Sequence, residues 1–332
     1  MSRRVMSGRA GWLRLAAALA IAPITGGCAW TLNATAGHAR TVRDVSYGGA
    51  PRQRLDVYLP AQTSGETGPG ANASEPAAHA APGRPIVVFL YGGTWQHGDK
   101  ANYRFVATAF ARHGYVAMVP DYRLYPEVRY PTFLQDAAQA VRFARDHAAD
   151  YGGDPTRLVL VGHSAGAYIA AMLALDSRWL AAEGLRPERA LRAVVGIAGP
   201  YDFLPLTDPV LQEIFATPQG LPSTQPITHV GEATPPMLLL AGAADHTVDP
   251  GNTERLAARI HEHGGPVQAA VYPGNVSHLS IIGAFAPPLR FLAPSQRDTF
   301  SFIDAQTGWA ESASAGSAAN VTAATRAADA RP

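Results

Sequence analysis

From about residue 41 onward the chain alternates short apolar runs with longer stretches in which apolar residues return every three or four positions. The short runs are too brief for self-standing helices, and the all-apolar, β-branched one at 158–161 suits a strand buried on both faces. They predict eight strands, at residues 42–47, 55–59, 86–91, 115–120, 158–161, 193–197, 237–241 and 267–272. The helical period predicts helices at 102–112, 133–149, 165–175, 252–262 and near 296–305. In the second of these, Pro131 stands at the start, Phe133, Leu134, Ala137, Ala138, Val141 and Ala144 fall on one side, and Gly152 closes the end. Proline ahead of an amphipathic stretch and glycine behind it mark the two ends of a helix. Strands alternating with helices imply a mostly parallel eight-stranded sheet with helices on both faces. Only a few residues separate the first two strands, so those two are expected to form an antiparallel hairpin at one edge.

Two segments break the pattern. Residues 61–83 and 309–332 are rich in Gly, Ala, Ser and Pro and carry no apolar period, so neither can bury a core. The first is expected as a disordered loop inside the domain, because strand-like runs flank it, and the second as a disordered tail. Residues 201–234 are broken by prolines yet partly apolar, a pattern expected of a cap segment beside a site.

Charge narrows the partners. The chain carries 27 basic and 26 acidic side chains for a net charge of +1, so no field gathers nucleic acid or an anionic surface. A single cysteine, Cys28, excludes an internal disulfide framework and a cysteine zinc site. Ahead of it lie Arg3, Arg4, Arg9 and Arg14, then the apolar run "LAAALAIAPI" and the small residues of "TGGCA". Residues 1–28 therefore resemble a bacterial lipoprotein signal, in which cleavage leaves Cys28 as a lipidated N-terminus. Thr25 occupies a place where such signals usually carry an aliphatic residue, so plain secretion is the alternative. Either way the expected location is outside the cytoplasm, and a lipid at Cys28, in the first case, is the only expected membrane attachment.

The candidate chemistry lies at one corner. "LVLVGHSAGAYIAAML" runs from a predicted strand into a predicted helix with Ser164 between them. Gly162 and Gly166 flank the serine where side chains would collide with the neighbouring strand or helix. Such a turn exposes the hydroxyl and aims the free N–H groups of the next helix at whatever the hydroxyl attacks. A serine needs a base, and the base needs an orienting acid. His278, in "VYPGNVSHLSII", lies just past the last predicted strand; the preceding strand end, "PMLLLAGAADHTVDP", offers Asp245 and, further from the strand, Asp249. The order Ser, Asp, His is that of a strand–turn–helix nucleophile. Gly92 and Gly93 end the third strand, where their N–H groups join that of Ala165 as candidate oxyanion donors.

These stretches, with "YGGTWQHGDK" and "PDYRLYPEVRYPTFLQDAAQAVRF", resemble α/β-hydrolases of the esterase and lipase group. The similarity is to bacterial carboxylesterases, isoprenylcysteine methylesterases and acetyl-xylan or feruloyl esterases. The resemblance implies an α/β-hydrolase fold over residues 41–308 and a serine carboxylesterase acting on small or medium esters through an acyl-enzyme, without metal or cofactor. It implies Ser164 as nucleophile, His278 as base then acid, Asp245 as orienting carboxylate, and backbone donors at Ala165, Gly93 and Thr94. One departure stands out: the family usually has His before the Gly-Gly pair, and this chain has Tyr91. Two alternatives remain at this point: a kynurenine formamidase-like arylformamidase, which shares a Gly-Gly-x-Trp stretch, and a non-catalytic binding lipoprotein. Other conspicuous residues read as structural. Asp121 and Arg123 are expected to pair and brace a loop, His261 and His263 to lie on the surface, and Trp95 to line an acyl pocket or sit in the core.

Overall fold

The computed structural model describes residues 26–61, 83–231 and 233–309. All eight predicted strands are present, as β1 (Arg40–Ser46), β2 (Arg54–Leu59), β3 (Arg84–Leu90), β4 (Val116–Pro120), β5 (Gly153–His163), β6 (Ala193–Ile197), β7 (Met237–Gly242) and β8 (Val267–Tyr272). They form one sheet in the order β1-β2-β4-β3-β5-β6-β7-β8. Every residue of β4, β6 and β7 is buried, which is why those strands appear in the sequence as unbroken apolar runs. The outer strand β1 has no fully buried position. The sheet is mixed: β1 and β2 form the expected hairpin, and β2 runs antiparallel to β4 as well, while the other pairings are parallel.

Strand order decides where the helices go. The chain moves from β3 outward to β4, then returns past β3 to β5 and continues in one direction to β8. Right-handed crossovers then place the helix Arg104–Arg112 on one face and the helices Thr132–Asp146, Ala165–Leu175 and Gly251–Glu262 on the other. The last helix, Ser295–Thr307, joins the first of these, with Phe300 5.4 Å from Phe110 between ring centroids. The direction of winding reverses between β3 and β5, and the carboxyl ends of strands beside such a reversal form a crevice.

Of the expected signal segment only Gly26–Cys28 enters the described residues, at the start of a helix Gly26–Thr35. The expected loop 61–83 lies outside them except for its two end residues, and so does the expected tail apart from Trp309. Trp309 itself belongs to the folded domain. Its ring covers Gly114, where a Cβ would come within 3.2 Å, and the Arg84 guanidinium lies 5.8 Å from the ring centroid. Among the described residues no helix is long and apolar enough to cross a membrane.

Candidate active site

Ser164 sits where β5 ends and the helix Ala165–Leu175 begins, with φ 55° and ψ −123°. For a residue with a side chain this backbone costs about 1–2 kcal/mol, so the surroundings must hold it there. They do so by close approach. A Cβ on Gly162 would stand 2.2 Å from the Gly166 carbonyl oxygen, and one on Gly166 would stand 2.0 Å from that of Leu90. The strand, the turn and the neighbouring β3 therefore touch backbone to backbone, and the Ser164 N–H donates to the Ile197 carbonyl at 2.9 Å. Thr94 and Trp95, in the loop that leaves β3, share the unusual positive φ, at 52° and 58°.

Three of the predicted side chains meet. His278 Nδ1 lies 2.7 Å from Asp245 Oδ2, and His278 Nε2 lies 2.9 Å from Ser164 Oγ. Ser164, Asp245 and His278 are all nearly buried. Burial pushes the Asp245 carboxyl upward, but the His278 ring and the N–H groups of Val248 and Thr247 outweigh it and hold the pKa below the ordinary value. An ionised Asp245 only accepts hydrogen bonds, so Nδ1 of His278 carries the proton. The lone pair of Nε2 then faces the serine hydroxyl, and the chain of three groups is set to take up the serine proton. The loop after β7 makes this possible, since Asp245 Oδ1 accepts from Thr247 N and Val248 N at 2.9 Å each. Asp249 takes no part in it. It is exposed, accepts from Gly251 N at 3.0 Å and lies 3.4 Å from Arg255.

The candidate donors divide. Gly93 and Thr94 are loop residues whose N–H groups meet no acceptor among the described residues, and Ala165 is the first residue of its helix, where N–H groups lack helical partners. Gly92 stands against both Ser164 and Tyr103. Its amide faces the Tyr103 hydroxyl, whose pKa burial raises and that amide partly lowers. Gly92 also matters as a gap, because a Cβ there would stand 2.8 Å from Ser164 Cβ.

Asp121 does not pair with Arg123. Arg123 forks onto the fully buried Asp136, at 2.7 Å, while Asp121 accepts from the Tyr91 hydroxyl and from Lys100 N at 2.8 Å each. Asp121 is thus already occupied, whereas the Asp136 carboxylate also accepts from Arg123 N at 2.9 Å. Trp95 is buried among aromatic rings, edge-on to Tyr168 and Phe215 and stacked on Phe203. The 201–234 segment supplies Phe203 and Phe215 to that cluster, and its Thr224 carbonyl accepts from the Tyr168 hydroxyl at 2.8 Å. His261 is exposed and His263 caps the helix Gly251–Glu262. No group of three or more His, Cys, Asp or Glu side chains able to hold a metal occurs among the described residues.

Sequence reasoning missed His163. Its Nε2–H donates to the His278 carbonyl at 3.1 Å, which ties the end of β5 to the segment that carries the base. Burial, helped by the neighbouring His278, lowers the His163 imidazole to about 3, so the ring is neutral, and its buried Nδ1 has no hydrogen-bond partner among the described residues. Its position beside Ser164 was visible, but its acceptor is a main-chain oxygen far along the chain, which no local pattern marks.

The family model BD-FAE matches residues 74–260. Over 264 residues the chain is 27% identical to a probable isoprenylcysteine alpha-carbonyl methylesterase of Oryza sativa subsp. japonica, covering 71% of this chain and 56% of that protein. It is 28% identical to esterase LipC of Mycobacterium tuberculosis over 266 residues, covering 74% and 60%. The chain thus spans a little more than half the length of the curated relatives it matches. Among solved structures, apo esterase 2 of Thermogutta terrifontis superposes with a TM-score of 0.60 at 26% identity, over 80% of this chain and 92% of that one. The same esterase is known with butyrate and with propionate bound. The fold is that of an α/β hydrolase, and the chain belongs to the BD-FAE family.

Proposed function

We propose that the protein is a serine carboxylesterase that hydrolyses small or medium carboxylic esters through an acyl-enzyme. The observation that carries this reading is the placement of His278 between Ser164 and Asp245, with bonds of 2.9 and 2.7 Å. As Ser164 Oγ attacks the ester carbonyl carbon, its proton passes to His278 Nε2, and the imidazolium so formed is stabilised by ionised Asp245. The carbonyl oxygen takes on negative charge beside the N–H groups of Gly93, Thr94 and Ala165, which are fixed in advance and need no reorientation. Collapse of the tetrahedral intermediate expels the alcohol, which receives the proton from His278. Water then attacks the acyl-enzyme by the same steps in reverse roles, and releases the acid.

The relatives support an ester as the substrate, since those reported above are named as esterases. The Thermogutta esterase holds butyrate and propionate, and carboxylates of that size favour short acyl groups for this chain too. On this reading a lipid at Cys28 anchors the enzyme to the cell envelope. Absence of fatty-acid label that depends on Cys28 would remove the anchor and leave the chemistry untouched. The test of the chemistry is turnover of a short p-nitrophenyl ester. Ser164→Ala and His278→Ala each lower it by about three powers of ten or more, with the far-ultraviolet circular dichroism unchanged. Near-full activity in either variant removes the mechanism.

A further inference from the structure

The loop that carries Gly93 and Thr94 leaves β3 at Tyr91 and ends near Lys100, and its two ends are fastened to each other by side chains from elsewhere. Tyr91 is fully buried between Tyr122 and Tyr103, with ring centroids at 4.8 and 5.7 Å. Its hydroxyl donates to Asp121 Oδ1 at 2.8 Å, and the same oxygen accepts the N–H of Lys100 at 2.8 Å. Arg52 enters from the hairpin side. Its Nη2 donates to the Tyr91 hydroxyl at 3.0 Å and to the Gly98 carbonyl, and its Nε donates to the Tyr122 carbonyl at 2.7 Å. The Tyr122 hydroxyl closes the ring of contacts by donating to the Tyr91 carbonyl at 2.7 Å.

Each member holds one end of the loop to the other. Tyr91 belongs to the strand end, Gly98 and Lys100 to the loop's return, and Arg52 and Asp121 span the two. Gly98 presses against the Tyr91 ring so closely that a Cβ there would come within 2.6 Å of it. Between these ends, Gly93 accepts from Gln96 N and His97 N at 3.0 and 2.9 Å, so the loop's tip is a tight turn with little slack of its own. Any shift of the base therefore moves the tip as a unit.

We propose that Tyr91, with Arg52 and Asp121, forms a clasp that sets where the Gly93 and Thr94 amides stand relative to Ser164. Tyr91 is thus a positioning residue for the oxyanion-stabilising amides. It touches no substrate and acts through the backbone it holds. This inference rests on the reading of the protein as a serine esterase. It adds a role for a residue that stands where the family usually has histidine, and for an arginine that lies well before the loop in sequence.

A positioning role for amides that bind the developing oxyanion predicts a particular kinetic signature. The ground-state ester binds mainly elsewhere, so a displaced amide costs kcat and spares KM. The experiment measures kcat and KM on a short p-nitrophenyl ester, with kcat expressed per Ser164 titrated by diethyl p-nitrophenyl phosphate, so that loss of folded protein does not enter. Tyr91→Phe keeps the stacked ring and removes the hydroxyl. It is expected to lower kcat about 10- to 100-fold with KM within about threefold. Asp121→Asn offers an amide oxygen where Oδ1 accepts, and Oδ2 receives no hydrogen bond among the described residues. That variant is expected to keep kcat within about threefold of wild type, whereas Asp121→Ala falls with Tyr91→Phe.

The outcomes separate cleanly. Wild type that neither hydrolyses esters nor takes the phosphate label at Ser164 overturns the esterase reading and this inference with it. Active wild type with Tyr91→Phe unchanged in kcat, or with KM rising while kcat holds, overturns the clasp alone. If Tyr91→Phe does not fold, the Asp121→Asn and Asp121→Ala pair decides: equal kcat in the two overturns the clasp, and a tenfold gap supports it.

Discussion

Replacing Asp245 by Asn should disable the enzyme through the proton on His278, and the size of the effect follows from two backbone amides. Asp245 Oδ1 accepts from Thr247 N and Val248 N, while Oδ2 faces His278 Nδ1. An asparagine can present its oxygen to only one of these partners. If the oxygen stays with the two amides, the NH2 group donates to Nδ1, the ring proton moves to Nε2, and Ser164 loses its base. Turning the amide restores the proton to Nδ1 but points NH2 at two N–H donors, leaving both unsatisfied in a nearly buried place. Each orphaned donor costs about 1–3 kcal/mol, or about 2–6 kcal/mol together. At about 1.4 kcal/mol per power of ten, the productive orientation is populated roughly one part in thirty to one part in twenty thousand. Turnover of a short p-nitrophenyl ester should therefore fall at least about thirtyfold in Asp245→Asn, and further because the imidazolium loses its carboxylate. The assay compares kcat in Asp245→Asn with that in Asp249→Asn, whose exposed carboxylate bonds, among the described residues, to Gly251 N and Arg255. Activity within tenfold of wild type in Asp245→Asn, or an equal loss in both variants, would show that Asp245 does not orient the base.

Other expectations concern the frame around the serine. Gly166→Ala would place a methyl group 2.0 Å from the Leu90 carbonyl oxygen and 2.6 Å from that of Tyr91. This strand-end backbone cannot yield cheaply, so urea unfolding should show a loss of about 3 kcal/mol or more; a loss below 1 kcal/mol would contradict the close approach. His163 tests the acid side of stability. Its ordinary value of 6.5 is lowered to about 3 in the fold, so below pH 6.5 the unfolded chain takes up a proton that the folded protein refuses. Stability is then lost as pH falls toward 3, with a slope from this residue approaching about 1.4 kcal/mol per pH unit. His163→Gln keeps a donor near the His278 carbonyl and removes the titration, so urea midpoints of the two proteins should converge as pH drops. Parallel curves would mean that His163 is not held neutral by burial.

What could be read from the sequence, and what could not, divides by range. The central strands β4, β6 and β7 were legible because burial on both faces leaves unbroken apolar runs, the outer strands β1 and β8 as short runs of valine and tyrosine interrupted by polar residues, and five helices because one-sided burial leaves a helical period. The helix Ala165–Leu175 coincides with its predicted bounds, and the helix Phe133 begins in the prediction starts at Thr132 and ends at Asp146. Ser164 was legible because its turn needs glycine at two fixed neighbours, and His278 and Asp245 because they stand at strand ends in the order the chemistry requires. The short helix His278–Gly283 was missed, since six residues capped by Ser277 carry too little periodicity to register. The Arg123–Asp136 pair was missed because the nearer Asp121 looked like the partner, and only the fold shows that Asp121 is occupied by Tyr91 and Lys100. The Arg52 clasp and the bond from His163 to the His278 carbonyl were illegible for the same reason. Each joins a side chain to a main-chain or hydroxyl group brought near by the sheet, and neither leaves a mark in the local pattern.

The most direct test of the central claim is to ask which atom of the folded protein is nucleophilic. A fluorophosphonate that forms a tetrahedral phosphonyl adduct, followed by intact mass and peptide mapping, should give one adduct per chain, on Ser164. It should vanish in Ser164→Ala and form far more slowly in His278→Ala. No adduct on natively folded wild type, or the same adduct mass in Ser164→Ala, would contradict the account.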